Sequence, residues 1–414
     1  MATVEHAGGV STAAPTPPST PPPAQPVSAT HRPVSRSLVV LLAAATGLTV
    51  ANTYYSQPLL DAIARDLNLG SGTAGLVVTL GQLGYVLGLI LLVPLGDLLP
   101  RRRLVTTMLA VSVAALILVA AAPGFGVLGA AIVVVGLTSV VAQVLVPFAA
   151  TVAAEHERGR VVGYVMTGLL LGTLLSRTTA GLVAEVTSWR GMYLLAAALI
   201  TVLTVLLYRY LPDLPPTTDQ HYARLLGSVW QLVRRERVLR RRALYGALSF
   251  VAFNALWTPL AFVLARPPYR FSEAAIGLFA LIAVPLAFTA GPVGWLADRG
   301  LGRPGTAGSF GLILAGAGLA VIGGGQLWAL ALGAMLVTFG AQCVHLFNQS
   351  TIYRLDPDAR SRITTAYMTS YFIGGVTGSA LAAAAYAQLG WAAVAALVAA
   401  TAVAGLLAWW RLPS

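Results

Sequence analysis

Apolar residues in this chain come in long unbroken stretches. They do not follow the one-face spacing of a helix with a wet side, nor the alternation of a half-buried strand. From Leu38 to Trp410 twelve such stretches follow one another, six between Leu38 and Leu211 and six between Ala243 and Trp410. A helix needs about 20 apolar residues to cross the hydrocarbon core of a bilayer. Most polar breaks are a few residues long, so neighbouring helices must run antiparallel. A membrane β-barrel would instead alternate over segments of about ten residues. The pattern predicts an all-α integral membrane protein with twelve transmembrane helices in two six-helix bundles.

The two sets of six repeat each other. Under a shift of 202 residues Asn52 meets Asn254, Arg158 and Arg160 meet Arg360 and Arg362, Met166 meets Met368, and Trp189 meets Trp391. Coincidences among Ala, Leu, Gly and Val mean little here, but the chain has only four Asn, six Met and eight Trp. Two mostly apolar halves on one plan are the mark of a transporter built from repeated units. The predicted organisation is a disordered tail (1–35) with eight prolines, a first bundle (36–211), a linker (212–242) and a second bundle (243–411). In the linker Leu225, Leu226, Val229, Leu232 and Val233 share one helix face, followed by Arg234, Arg235, Arg237 and Arg240 to Arg242. That spacing predicts an amphipathic helix lying on the inner leaflet; a flexible charged linker is the alternative. With no apolar signal segment ahead of Leu38, the first span itself is expected to direct insertion.

Charge then sets orientation. The chain is 57% hydrophobic and 10% charged, with a net charge of +12. An excess this basic can point to nucleic acid, but its position argues otherwise. All 26 basic residues are Arg, and 21 of them fall on one set of loops. Only Arg65, Arg190, Arg266 and Arg270 fall on the other set, and Arg177 falls within a span. The positive-inside rule predicts both termini in the cytoplasm. The single cysteine, Cys343, allows no intrachain disulfide. The chain has no Lys, hence no phosphate-binding Gly-Lys-Ser/Thr loop and no sign of an ATP-driven pump. Five scattered His and one Cys form no metal-ligand cluster, and no cofactor is implied.

The loops between the second and third stretch of each half carry the most specific motif. Gly294, Asp298, Arg299 and Arg303 stand in the second half, and Asp97, Arg101 and Arg102 in the first. With the two six-helix halves and the basic linker, this resembles the major facilitator superfamily, whose pattern there is Gly-x-x-x-Asp-Arg-x-Gly-Arg-Arg. The first half departs from it at Val93, Leu98 and Pro100, and the second has one extra residue before Arg303. The stretches 51–60 (ANTYYSQPLL) and 340–349 (GAQCVHLFNQ) are similar to a bacterial branch called arabinose-efflux-permease-like. The resemblance covers residues 36–411. It implies a monomeric multi-pass exporter of small molecules in the bacterial cytoplasmic membrane, without implying arabinose as the substrate. It also implies that the loop motif latches the cytoplasmic ends of the halves. Asp97 would then approach the start of the eleventh helix near Arg362, and Asp298 its counterpart near Arg160.

In that family helices 1, 4, 7 and 10 line the transport path. Asn52, Tyr55 and Ser56 are spaced to share one face, and Asn254, Trp257 and Thr258 repeat it. Gln342, His345 and Gln349 lie on one stripe of the tenth helix with Asn348 beside it, and Gln143 is the shift partner of His345. Polar groups facing lipid are disfavoured, so these point inward, either to a cavity or to interhelical hydrogen bonds. Arg177 is the sharpest residue, since an intramembrane charge is a functional candidate by default. Pairing with Glu185, two turns on, or with helix-end carbonyls is its structural alternative. Gly81, Gly84 and Gly88 read as close-packing positions between helices. No acidic residue falls mid-span, so a cationic substrate is disfavoured, and any coupled proton would be carried by His345. The expected activity is export of a small neutral or anionic molecule by alternating access, and the chain is not expected to be an enzyme. An uptake permease or uniporter for a sugar or organic anion is the alternative, and a non-transporting sensor the remote one.

Overall fold

Apolar stretches of this length bury their backbone polar groups in helices, because hydrocarbon offers no other partner. A computed structural model of the chain describes residues 35–154, 156–213, 222–355 and 360–412, and these are helical with no strand among them. The predicted tail lies outside the described residues apart from Ser35, whose side chain caps the first helix at the Leu38 amide.

Twelve spans follow in chain order. Span 1 is a bent pair, Arg36–Ala51 and Ser56–Asp66, with 42° between its parts. Span 2 is Ser71–Leu91 followed by Leu95–Leu98, span 3 Arg101–Ala120, and span 4 Phe125–Thr138 with Val141–Val152. Spans 5 and 6 are Arg158–Val186 and Trp189–Tyr210. After the linker helix Tyr222–Arg235, span 7 is Arg237–Ala265. Span 8 is segmented into Glu273–Phe279, a tighter 3₁₀ stretch Ala280–Phe288 and Ala290–Asp298. Spans 9 to 12 are Gly302–Ile322, Leu327–Ile352, Arg360–Leu389 and Trp391–Arg411. By length and composition ten helices among the described residues can each cross a membrane, and the bent pair of span 1 makes an eleventh. The remaining crossing is the segmented span 8.

Two sequence expectations change here. The linker ends early: Arg237 and Arg240 to Arg242 open span 7, as good helix formers can. The apolar stripe of the linker helix, expected on the inner leaflet, is partly covered by protein. Val229, Leu232 and Val233 pack on Leu239, Ile352, Ile363 and Tyr367 of the second half, while the Tyr222 hydroxyl donates to the Leu91 carbonyl of the first. The helix needs an apolar partner, and the ends of spans 7, 10 and 11 supply one.

Close crossings use glycine. A Cβ at Gly84 would stand 2.1 Å from the Val133 carbonyl oxygen, locking span 2 on span 4. A Cβ at Gly181 would stand 2.3 Å from the Glu273 carbonyl oxygen, where spans 5 and 8 meet across the halves. Within residues 33–414, one compact unit, the closest approaches between halves gather at the Arg-poor face. Thr79 donates to Ser379 at 2.9 Å, Thr178 to the Gly277 carbonyl at 3.0 Å, and Gly75 abuts Ala383. At the other end span 5 changes character. Ser176, Arg177 and Thr178 are buried, whereas Arg158, Arg160, Gly163, Tyr164, Met166 and Thr167 are exposed. The bundle is closed at the Arg-poor face, and toward the Arg-rich one Arg160, Tyr164 and Thr167 of span 5 line a hollow of the first half.

Candidate substrate cavity

Arg177 sits where spans 1, 5 and 7 converge, on the closed side of the bundle. Its side chain is 5% exposed. Nε donates to the Gln57 side-chain oxygen at 2.7 Å and Nη1 to the Thr173 carbonyl at 3.3 Å, while Nη2 has no partner. The guanidinium lies 4.5 Å from the Tyr54 ring centre, 4.9 Å from Trp257 and 5.7 Å from Phe253. Guanidinium charge is attracted to aromatic faces, and more strongly once desolvated. Among the described residues no carboxylate pairs with it. The expected pairing with Glu185 does not form: Glu185 instead accepts from the Ala274 amide at 3.1 Å, tying span 5 to span 8.

In front of Arg177 lies a cavity of about 110 Å³ between the halves. Tyr54 comes from span 1, Leu170, Thr173 and Leu174 from span 5, Phe250, Phe253 and Trp257 from span 7, Thr338 and Gln342 from span 10, and Tyr371 from span 11. On the other side of Arg177, against Gln57 and Pro58, is a void of about 10 Å³. Arg177 is therefore the floor of the cavity at its closed end. A larger hollow, about 1110 Å³, runs between spans 1, 5 and 6 on the first half alone. A site worked by two moving halves must be built from both, so the smaller cavity is the candidate.

The predicted residues distribute unevenly around it. Arg177 and Trp257 line the cavity. Tyr54, not Tyr55, faces it, and Tyr55 turns to the lateral hollow. The shared face of Asn52, Tyr55 and Ser56 assumed a continuous helix, whereas the chain turns at residues 52–55. Asn52 is buried with both side-chain polar atoms unpartnered, and Ser56 and Thr258 are buried away from the cavity. Asn254 accepts from Gln82 at 3.4 Å and donates to the Phe250 carbonyl at 3.2 Å, so it joins the halves. Gln143 donates to the Tyr85 hydroxyl at 3.2 Å, and Tyr85 stacks on Phe372 across the halves at 4.1 Å.

His345 lies one layer behind the wall. Its Nδ1 is 3.0 Å from the Tyr367 hydroxyl, and its ring centre is 4.7 Å from that of Tyr371. Asn348 donates to Tyr367 at 3.4 Å and accepts from Arg242 at 3.4 Å. Gln349 is half-buried one turn further on. Sequence reasoning missed Tyr54, Gln57, Phe250, Phe253 and Tyr371. Gln57 carried a signal, an amide at a span position where hydrocarbon would not tolerate it.

Where described, the contacts of the gating residues lie within their own halves. The Asp97 side chain lies outside the described residues. Arg101 donates to the Gly96 carbonyl at 3.1 Å and to Thr151 at 3.2 Å, and Arg102 lies 4.8 Å from the Tyr208 ring centre. Asp298 pairs with Arg354 at 2.6 Å rather than approaching Arg160, which lines the lateral hollow. Arg299 stacks on Trp295 at 3.6 Å and Arg303 on Trp409 at 5.2 Å, while Arg362 is exposed. Asp298 takes a cation of its own half. A cross-half ion pair does form at the opposite face, where Arg65 bridges Asp61 and Glu273.

The Major Facilitator Superfamily profile matches residues 42–378. A transporter of Escherichia coli strain K12, YgaY, is 45% identical over 380 residues, covering 91% of this chain and 96% of its own. A transporter of Streptomyces coelicolor, SCO4007, is 34% identical over 375 residues, with 90% and 86% covered. A solved bacterial homolog of the human lysosomal transporter Spinster, inward-facing and occupied, matches with a TM-score of 0.73 at 13% identity. That likeness covers 90% of this chain and 96% of the other, and it speaks for the fold. The chain belongs to the major facilitator superfamily and is a multi-pass membrane transporter.

Proposed function

We propose that this transporter exports a small anionic molecule by alternating access around Arg177. The observation that carries the reading is a buried guanidinium with one edge unused, at the closed end of a cavity shared by both halves. Such an edge donates to an oxyanion and repels a cation. Uncharged small molecules fit the same space but leave the unused donor unmet. By the positive-inside rule the Arg-rich face, with both termini, is cytoplasmic, in the inner membrane of a bacterium. The described state then takes its load from the cytoplasm. The two bundles rock as a monomer around the cavity, with the polar ring of Asn254, Gln82 and Gln143 at their seam. The Asp97 and Asp298 loops, with Arg160 and Arg362, close the cytoplasmic face in the opposite state.

Energetics favour this direction. An inside-negative potential expels a monoanion with about 2.3 kcal/mol per 100 mV, so export needs no carboxylate within the spans. A second reading, proton antiport, rests on His345, whose contact with Tyr371 places a titratable ring one side chain from the cavity. Purified protein in liposomes separates the two. An imposed potential without a pH gradient should drive anion efflux on the first reading; efflux that follows only the pH gradient would support the second.

A further inference from the structure

We propose that the cavity selects a single-ring aromatic monoanion, a proposal that rests on the anion reading of Arg177. The walls carry the argument. Phe250 stacks on Tyr371 at 3.9 Å with 19° between the planes and on Phe253 at 5.6 Å with 7°. Trp257 continues the row 6.1 Å from Phe253 and lies beside Arg177. A flat ring extends such a row in the offset-stacked manner aromatic pairs prefer.

The hydrogen-bonding inventory is short. The Trp257 indole N–H is spent on Thr338 at 3.0 Å, and the Thr338 hydroxyl on the Ala334 carbonyl at 2.7 Å. The Thr173 hydroxyl is spent on the Leu169 carbonyl at 3.0 Å. What remains is the unpartnered Arg177 Nη2, the Gln342 amide and the hydroxyls of Tyr54 and Tyr371. A hexose would bring more hydroxyls and ring oxygen than these groups can meet at once, which is unfavourable. An amino acid would bring an ammonium to a site where Arg177 repels it. A volume of about 110 Å³ is also well below the roughly 300–1,000 Å³ of pockets for drug-sized ligands. One ring with one oxyanion meets all three constraints.

The test is calorimetric binding to purified full-length protein, with benzenesulfonate, cyclohexanesulfonate, methanesulfonate, benzyl alcohol and glucose as probes. Benzenesulfonate should bind about tenfold or more tighter than methanesulfonate or benzyl alcohol, and several-fold tighter than its saturated analogue. Arg177→Gln should abolish its binding. Phe250→Leu, which removes a ring of the row but no contact of Arg177, should weaken benzenesulfonate and spare methanesulfonate. Equal affinity for all three sulfonates, lost in Arg177→Gln, would overturn the aromatic preference and leave the anion reading standing. Glucose as the tightest ligand, or sulfonate binding indifferent to Arg177→Gln in a variant that stays monodisperse, would overturn both.

Discussion

An arginine within a span costs at least about 2.5 kcal/mol on insertion scales, and the surroundings of Arg177 show how that is met. Tyr54, Trp257 and Phe253 shield the guanidinium and Gln57 takes its Nε, while Nη2 is left buried without a partner. Lysine keeps the charge but not the planar fork or the stacking. Arg177→Lys should therefore lose about tenfold or more in sulfonate affinity, read by calorimetry; full retention would mean charge alone suffices. Arg177 was legible in the sequence because a charge among apolar residues cannot be hidden. Its aromatic cage was not, because Tyr54, Phe250 and Phe253 look like any other core residue until the turn at 52–55 and the packing of span 7 aim them. Asn52 and Asn254 show the same limit. Sequence symmetry equates them, yet one is unpartnered and the other bridges to Gln82.

Between elements, the closed face depends on how near spans 5 and 8 come. Gly181 and Gly277 meet there, and a Cβ on Gly181 would collide with backbone that cannot swing aside. Gly181→Val should part the two spans and open that face. Spin labels at Thr73 and Leu389, in a Cys343→Ser background, should then report longer distances. An unchanged distribution would show that the crossing does not hold the face shut. The Arg65–Glu273 pair is more exposed and weaker, since exposed ion pairs contribute about 0.2–1 kcal/mol. Glu273→Gln should shift the same distances only partly. At the opposite face Asp97→Asn should favour the cytoplasm-open state, seen as shorter Thr73–Leu389 distances in a background where both states are populated; no shift would remove Asp97 from the latch. The spans themselves were legible because hydrocarbon imposes one length on them. The latch pairing was not, since an exposed Asp298 simply takes whichever Arg the current state brings near, here Arg354.

At the scale of the molecule, the repeat at 202 residues supplies two bundles, and its departures supply the chemistry. Arg177 corresponds to Ser379, and both stand at the seam between halves. Ser379 joins spans 2 and 11 through Thr79, whereas Arg177 floors the cavity. His345 corresponds to Gln143, and each contacts a tyrosine beside the path, Tyr367 and Tyr85. Symmetry was visible in the letters because rare residues repeat. The closed end was not, because one sequence must serve both states. The central claim is outward movement of an anion held by Arg177, and it reduces to one measurement. Proteoliposomes loaded with benzenesulfonate are given an inside-negative potassium–valinomycin potential with no pH gradient, and efflux is followed. The account predicts efflux that rises with the potential and falls to the protein-free leak in Arg177→Gln. Equal efflux from the wild type and Arg177→Gln would contradict it.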